Sequence, residues 1–99
     1  MFCHVALFRW NDGVTDEQIA AVEAALAELP SRIQSLRGYR FGRDAGINDG
    51  NYDFAVVADF DDPDGYRAYR DHPAHRALLA DRIQPILAAR AAVQFDAGP

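Results

Sequence analysis

The segment Tyr69-Arg70-Asp71-His72-Pro73-Ala74-His75 gathers two of the chain's three histidines and a tyrosine into one short stretch. Histidine changes charge near neutral pH, which fits it to take up and return a proton. A tyrosine hydroxyl can donate to a developing oxyanion or pass a proton on. Pro73 fixes its own backbone angle and biases His72 away from the helical region, so the segment has a defined shape. The chemistry these residues suit is acid–base catalysis with no metal or organic cofactor: His75 as general acid/base and Tyr69 as oxyanion donor. The third histidine, His4, lies far away in sequence, in the first apolar run.

Whether these side chains meet depends on the elements that carry them. Phe2 to Trp10 alternates, with Phe2, His4, Ala6, Phe8 and Trp10 on one face and Cys3, Val5, Leu7 and Arg9 on the other, which predicts a strand. Thr15 opens a helix, with Gln18 completing a capping box and Asp16 and Glu17 at the positive end of the dipole. Ile19, Val22, Leu26, Leu29 and Ile33 form its apolar stripe, and Pro30 predicts a kink or brief break before a last turn reaching about Leu36. Gly38–Arg43 reads as a second strand, Asn48-Asp49-Gly50-Asn51 as a hairpin turn, and Tyr52–Phe60 as a third strand. Asp62 and Pro63 start another helix, which His72-Pro73 interrupts. A further helix carries Leu78, Leu79, Ile83 and Ile86, Pro85 brings it to its end, and Ala91–Asp96 is the last strand.

The order β-α-β-β-α-β predicts an α+β, ferredoxin-like subunit: a four-stranded antiparallel sheet with its helices on one face. The face carrying Phe2, Phe8, Phe54, Val56 and Phe60 is the more aromatic and is expected to lie under the helices, which puts His4 on the same side as Tyr69 and His75. A pocket there would be lined by Phe54, Val56 and Leu79, with His72 as a further ligand-binding candidate. The opposite face is apolar but smaller, mixing Val5, Leu7, Ala55 and Val57 with Asp53 and Asp59, and suits burial against a second copy.

Ninety-nine residues, 49% of them hydrophobic, are expected to form one domain over residues 1–99. A formal charge of −5 argues against nucleic acid as a partner, since phosphates call for a basic patch. The ten arginines, spread among acids, read as a salt-bridged surface. Cys3 is alone, which excludes an internal disulfide and fits the cytoplasm, and it reads as a small core or interface residue rather than a nucleophile. No leader or membrane-length apolar run is visible. Asp44, Asp61, Asp81, Tyr39 and Tyr66 read as surface, cap or core-edge residues.

The chain resembles the stress-responsive dimeric α/β-barrel (Dabb) family. The likeness rests on Phe2-Cys3-His4-Val5-Ala6-Leu7-Phe8, on the strand Tyr52 to Phe60, on Tyr69 to His75, and on Ile83-Gln84-Pro85-Ile86 followed by Val93-Gln94-Phe95-Asp96. It implies subunits that pair sheet to sheet as a homodimer, closing an α+β barrel. The match to the family's olivetolic acid cyclase-type polyketide cyclase is partial. That enzyme's reactive tyrosine and histidine match Tyr69 and His75, and a supporting histidine matches His4, but a further histidine falls at Phe54.

Two functional classes therefore stand: a dimer that binds a small apolar or polyketide-like molecule, and a cyclase-like enzyme working by aldol or proton transfer. A structural role competes with both at His72, where a helix junction, with His72 bonded to a carboxylate or carbonyl, is the simpler reading. A metal site built from His72, His75, Asp71 and His4 is disfavoured, because Pro73 disturbs the spacing that converging ligands need.

Overall fold

The computed structural model describes residues 1–98. Strand β1 (Phe2–Trp10) leads through a turn at Gly13, whose φ of +83° suits a residue without Cβ, into helix α1 (Asp16–Arg32). Strands β2 (Gly38–Arg43) and β3 (Phe54–Phe60) follow, then helices α2 (Pro63–Asp71) and α3 (Pro73–Leu78). A π-helical turn (Leu79–Ile83) and a 3-10 turn (Gln84–Ile86) lead into β4 (Leu87–Asp96). The sheet order is β2-β3-β1-β4 with every neighbouring pair antiparallel, the ferredoxin-like arrangement, and the helices pack on one face.

Local chemistry explains the element starts. The Thr15 hydroxyl accepts from the Gln18 amide at 3.2 Å while the Gln18 side chain accepts from the Thr15 amide at 2.9 Å, a complete capping box. Asp62 caps α2 by accepting from the Gly65 amide at 2.8 Å, with Pro63 in the first turn. Arg43, at the end of β2, reaches both Asp16 and Glu23 of α1 at 2.7 and 2.9 Å, which ties the outer strand to the helix layer.

Three boundaries differ from the sequence-based expectation. Helix α1 runs unbroken through Pro30 and ends at Arg32 rather than near Leu36. A proline costs the helix one amide donor, and here buried Leu29 and Ile33 flank it and remain hydrogen-bonded to each other, from the Ile33 amide to the Leu29 carbonyl at 2.9 Å. Strand β3 begins at Phe54 instead of Tyr52, because the Asp53 carboxylate accepts from the Trp10 amide at 2.8 Å where a ladder carbonyl would otherwise serve. Strand β4 begins at Leu87 instead of Ala91: it pairs along nearly all of β1, with a bulge at Arg9/Trp10.

The core lies between the sheet and α1. Val22, Leu26, Leu29 and Ile33 pack on Phe8, Phe54, Val56 and Phe60, all at most 3% exposed. Side chains of this size contribute about 1.5–3 kcal/mol each on burial. The outer sheet face carries Val5, Leu7, Ala55 and Val57 half-buried, while Val93 and Phe95 of β4 are 57% and 47% exposed. Among the described residues no helix is long and apolar enough to cross a membrane.

Candidate functional site

Helix α2 delivers Tyr69 to the sheet one turn before it stops at His72, whose φ and ψ of −63° and 135° are the extended conformation that a following proline favours. The His72 ring then folds back, and its Nδ1 accepts from the Ala74 amide at 3.0 Å, capping α3. His72 therefore builds the helix junction, through a backbone amide rather than a carboxylate or carbonyl. It faces an open groove between α1 and α3, with Ala25, Leu29 and Arg32, and not the cavity described next. That groove is larger, at 700 Å³, but it is an open surface depression away from His4, Tyr69 and His75.

The first turn of α3 turns His75 the other way. Its Nδ1 lies 3.1 Å from the Arg70 carbonyl oxygen. A carbonyl only accepts, so Nδ1 carries the proton and Nε2 keeps its lone pair. The ring sits against Tyr69, with centroids 4.1 Å apart and planes tilted by 37°. Burial lowers the His75 pKa, the hydrogen bond to Arg70 opposes that, and the nearby charges of Arg90 and His72 lower it further.

His75, Tyr69 and His4 line one cavity of 310 Å³ between sheet and helices. Ala6, Phe8 and Val56 form its floor; Leu78, Leu79 and Ile83 form its apolar wall. His4 is 4% exposed, and its Nδ1 lies 2.8 Å from the Gln94 side-chain amide nitrogen. With that amide donating, the imidazole proton resides on Nε2. Burial, followed by the charges of Arg90 and His75, pushes the His4 pKa down to about 4, so it is neutral at physiological pH. The His4 ring is 4.7 Å from Tyr66 and 6.5 Å from Tyr69.

The Tyr69 hydroxyl is 2.8 Å from that of Tyr39 on β2. Burial pushes the Tyr69 pKa up to about 12, against a lowering by the Tyr39 hydrogen bond, and burial also holds Tyr39 well above its ordinary value. Both phenols stay protonated. When Tyr39 donates, Tyr69 retains its own O–H for the cavity. The arrangement can thus present a neutral base at His75, a hydroxyl donor at Tyr69 and a neutral imidazole at His4 along one apolar wall.

Of the residues expected to line a pocket, Val56 and Leu79 do so. Phe54 lies beyond the cavity wall, 2% exposed in an aromatic stack with Phe8, Trp10 and Phe41. Four further residues take part: Tyr39 and Tyr66, expected as surface, cap or core-edge residues, and Arg90 and Gln94, to which the sequence alone assigns no role. Alternation along β2 signals Tyr39, which shares the helix side with Phe41 and Arg43. Alternation within Ala91–Asp96 signals Gln94 on one face with Ala92, and the observed start at Leu87 adds Arg90 to that face, the side of His4. Among the described residues no group of three or more His, Cys, Asp or Glu side chains converges as a metal ion would require. Burial, with Asp59 alongside, raises the Cys3 thiol pKa, which disfavours the reactive thiolate.

Known proteins with this architecture are numerous. An uncharacterized protein of Streptomyces coelicolor is 37% identical over 83 residues, spanning 81% of this chain and 84% of its own length. A dimeric ferredoxin-like protein of unknown function from Thermobifida fusca superposes with a TM-score of 0.88 at 60% identity, covering 95% of this chain and 88% of that one. A dimeric ferredoxin-like protein from Bacteroides fragilis gives 0.77 at 28% identity, over 96% and 94%. The family model for the stress responsive A/B barrel domain matches residues 2–97, which takes in every element from β1 to β4, and this chain belongs to that family.

Proposed function

We propose that this chain works as a cytoplasmic homodimer, paired through its outer sheet face, in which each subunit binds a small and largely apolar molecule between sheet and helices. The observation that carries the reading is the 310 Å³ cavity, with its wall of Leu78, Leu79 and Ile83 and its few polar groups at one end, the usual composition of a small-molecule site. The dimer is supported by Val93 and Phe95, large apolar side chains about half exposed on the outer face beside Val5, Leu7 and Val57, and by the dimeric state of the solved relatives. Sedimentation at micromolar concentration tests the pairing, and a monomer overturns it. Amide chemical shifts recorded with a pool of aliphatic and aromatic ligands test the cavity. Hits are expected to shift residues around Leu79 and Val56 and to vanish in Leu79→Trp, which fills the space.

A second reading, a cofactor-independent proton-transfer enzyme of the cyclase type, is favoured by one observation: the Arg70 carbonyl orients His75 so that Nε2 is the free base. His75 would remove a proton from carbon next to a carbonyl, and Tyr69 would donate to the resulting enolate oxygen. Deuterium uptake from solvent by a β-keto ester tests it. Uptake above the uncatalysed rate that falls to background in His75→Gln and drops in Tyr69→Phe supports catalysis; uptake equal to the uncatalysed rate leaves the binding reading alone.

A further inference from the structure

We infer that the cavity takes an anion, an apolar molecule bearing a carboxylate, and that Arg90 is the residue that selects it. The inference rests on the proposed binding role of the cavity and specifies its ligand class.

The argument begins with charge. The chain carries 15 acidic side chains against ten arginines, yet no Asp or Glu lines this cavity. Its charged lining consists of Arg70 and Arg90. Arg70 is already neutralised, because its guanidinium grips Asp71 through two bonds of 2.8 and 3.0 Å. Among the described residues no carboxylate lies within ion-pair distance of Arg90. Five cationic groups, the N-terminus, Arg37, Arg43, Arg67 and Arg70, hold their positive charge against a carboxylate, and Arg90 is the cavity-lining arginine that does not.

Position points the same way. Arg90 sits on β4 opposite Phe8, on the face that also carries Gln94 opposite His4. It is exposed, so it stands at the cavity's open side rather than deep in its wall. Its field reaches the polar end: its charge opposes protonation of both His4 and His75 and favours ionisation of Tyr69. A guanidinium offers a planar fork of donors that matches a carboxylate in two parallel bonds. An apolar tail could then run inward along Leu79 and Ile83 while the charged head stays at the mouth. A neutral ligand would leave that fork facing only water.

The test compares octanoate with octanamide, which share a chain and differ in charge, by titration of backbone amide shifts at pH 7.5. Octanoate is expected to bind about tenfold tighter than the amide, the scale of one charge-assisted contact at a partly solvated site. Arg90→Gln should erase that preference by weakening octanoate far more than octanamide, and Arg90→Lys should restore part of it. Equal affinity of the two ligands in the unsubstituted protein, or a preference that survives Arg90→Gln, overturns the assignment of Arg90 and leaves the cavity reading standing. Absence of any shift around Leu79 and Val56 with either ligand overturns both.

Discussion

Protonating His4 is expected to destabilise the fold in a defined pH window. The imidazole is 4% exposed and is held neutral, with a pKa near 4, whereas in the unfolded chain it should titrate near its ordinary value of 6.5. Between those values the unfolded chain binds the proton and the folded one does not, so stability falls as pH drops from about 6.5 to about 4 and is complete above 6.5. A separation of roughly 2.5 pKa units is worth about 3 kcal/mol, of which about 2–3 kcal/mol should be lost between pH 7 and pH 4.5. For a domain of this size that corresponds to a fall of roughly 10–20 °C in Tm. Other groups contribute, notably His75, whose shift has the same sign. Urea unfolding of the unsubstituted chain and of His4→Gln at both pH values separates them: the variant should lose about 2 kcal/mol less over the interval. Histidine ring NMR supplies the direct reading, with one imidazole titrating far below 6.5. If that ring titrates near 6.5, or if His4→Gln loses as much stability as the parent, burial of neutral His4 is not the controlling term. Arg90→Gln removes a positive neighbour, so it should raise the folded His4 pKa, narrow the window from its lower edge and reduce the loss.

Other substitutions separate structural from site roles. His72→Ala removes the cap of α3 and should cost about 1 kcal/mol in urea unfolding without changing the affinity of a cavity ligand, whereas His75→Ala should change the affinity. Phe60→Ala empties a fully buried position between Tyr66 and Tyr69, and should cost about 3–5 kcal/mol by the same measurement. Asp53→Ala leaves the Trp10 amide without its acceptor and should cost about 1–3 kcal/mol, with faster hydrogen exchange at Trp10.

The strand faces were legible because β1 has one side against α1 and the other against no helix, so its alternation is a record of burial. His4 could be placed on the helix side from that period alone, and the break at His72-Pro73 from proline's missing donor. The start of β4 is harder to read: Ala88, Ala89, Ala91 and Ala92 carry little polarity contrast, and the pairing that extends the strand back to Leu87 is dictated by the length of β1, not by β4's own residues. Contacts between distant elements were out of reach. The Tyr39–Tyr69 hydroxyl pair depends on the register of β2 against β3, where Tyr39 stands opposite Ala58, and on the depth to which α2 sinks. The expectation that Phe54 lines the pocket fails for the same reason. Alternation gives the side of the sheet a residue faces, but only packing decides that Phe41 and Trp10 close around it.

The cavity owes its place to the irregularity of the chain between β3 and β4. Helix α1 is 17 residues long and seals the sheet beneath it with a continuous apolar stripe. The second helical layer is divided at Pro73 and widens into a π-turn at Leu79, so it cannot lay one unbroken stripe over β1 and β4. Wide turns of this kind recur at functional sites because they displace a side chain from regular packing. Here Arg90, Ala92 and Gln94, on the helix side of β4, remain exposed. That leaves a neutral His4 buried beside an uncovered strand edge. Folding alone would be served better by an apolar residue than by a histidine whose burial costs stability below pH 6.5. The penalty makes sense where an un-ionised imidazole, a protonated phenol and a free guanidinium are wanted within reach of one small molecule.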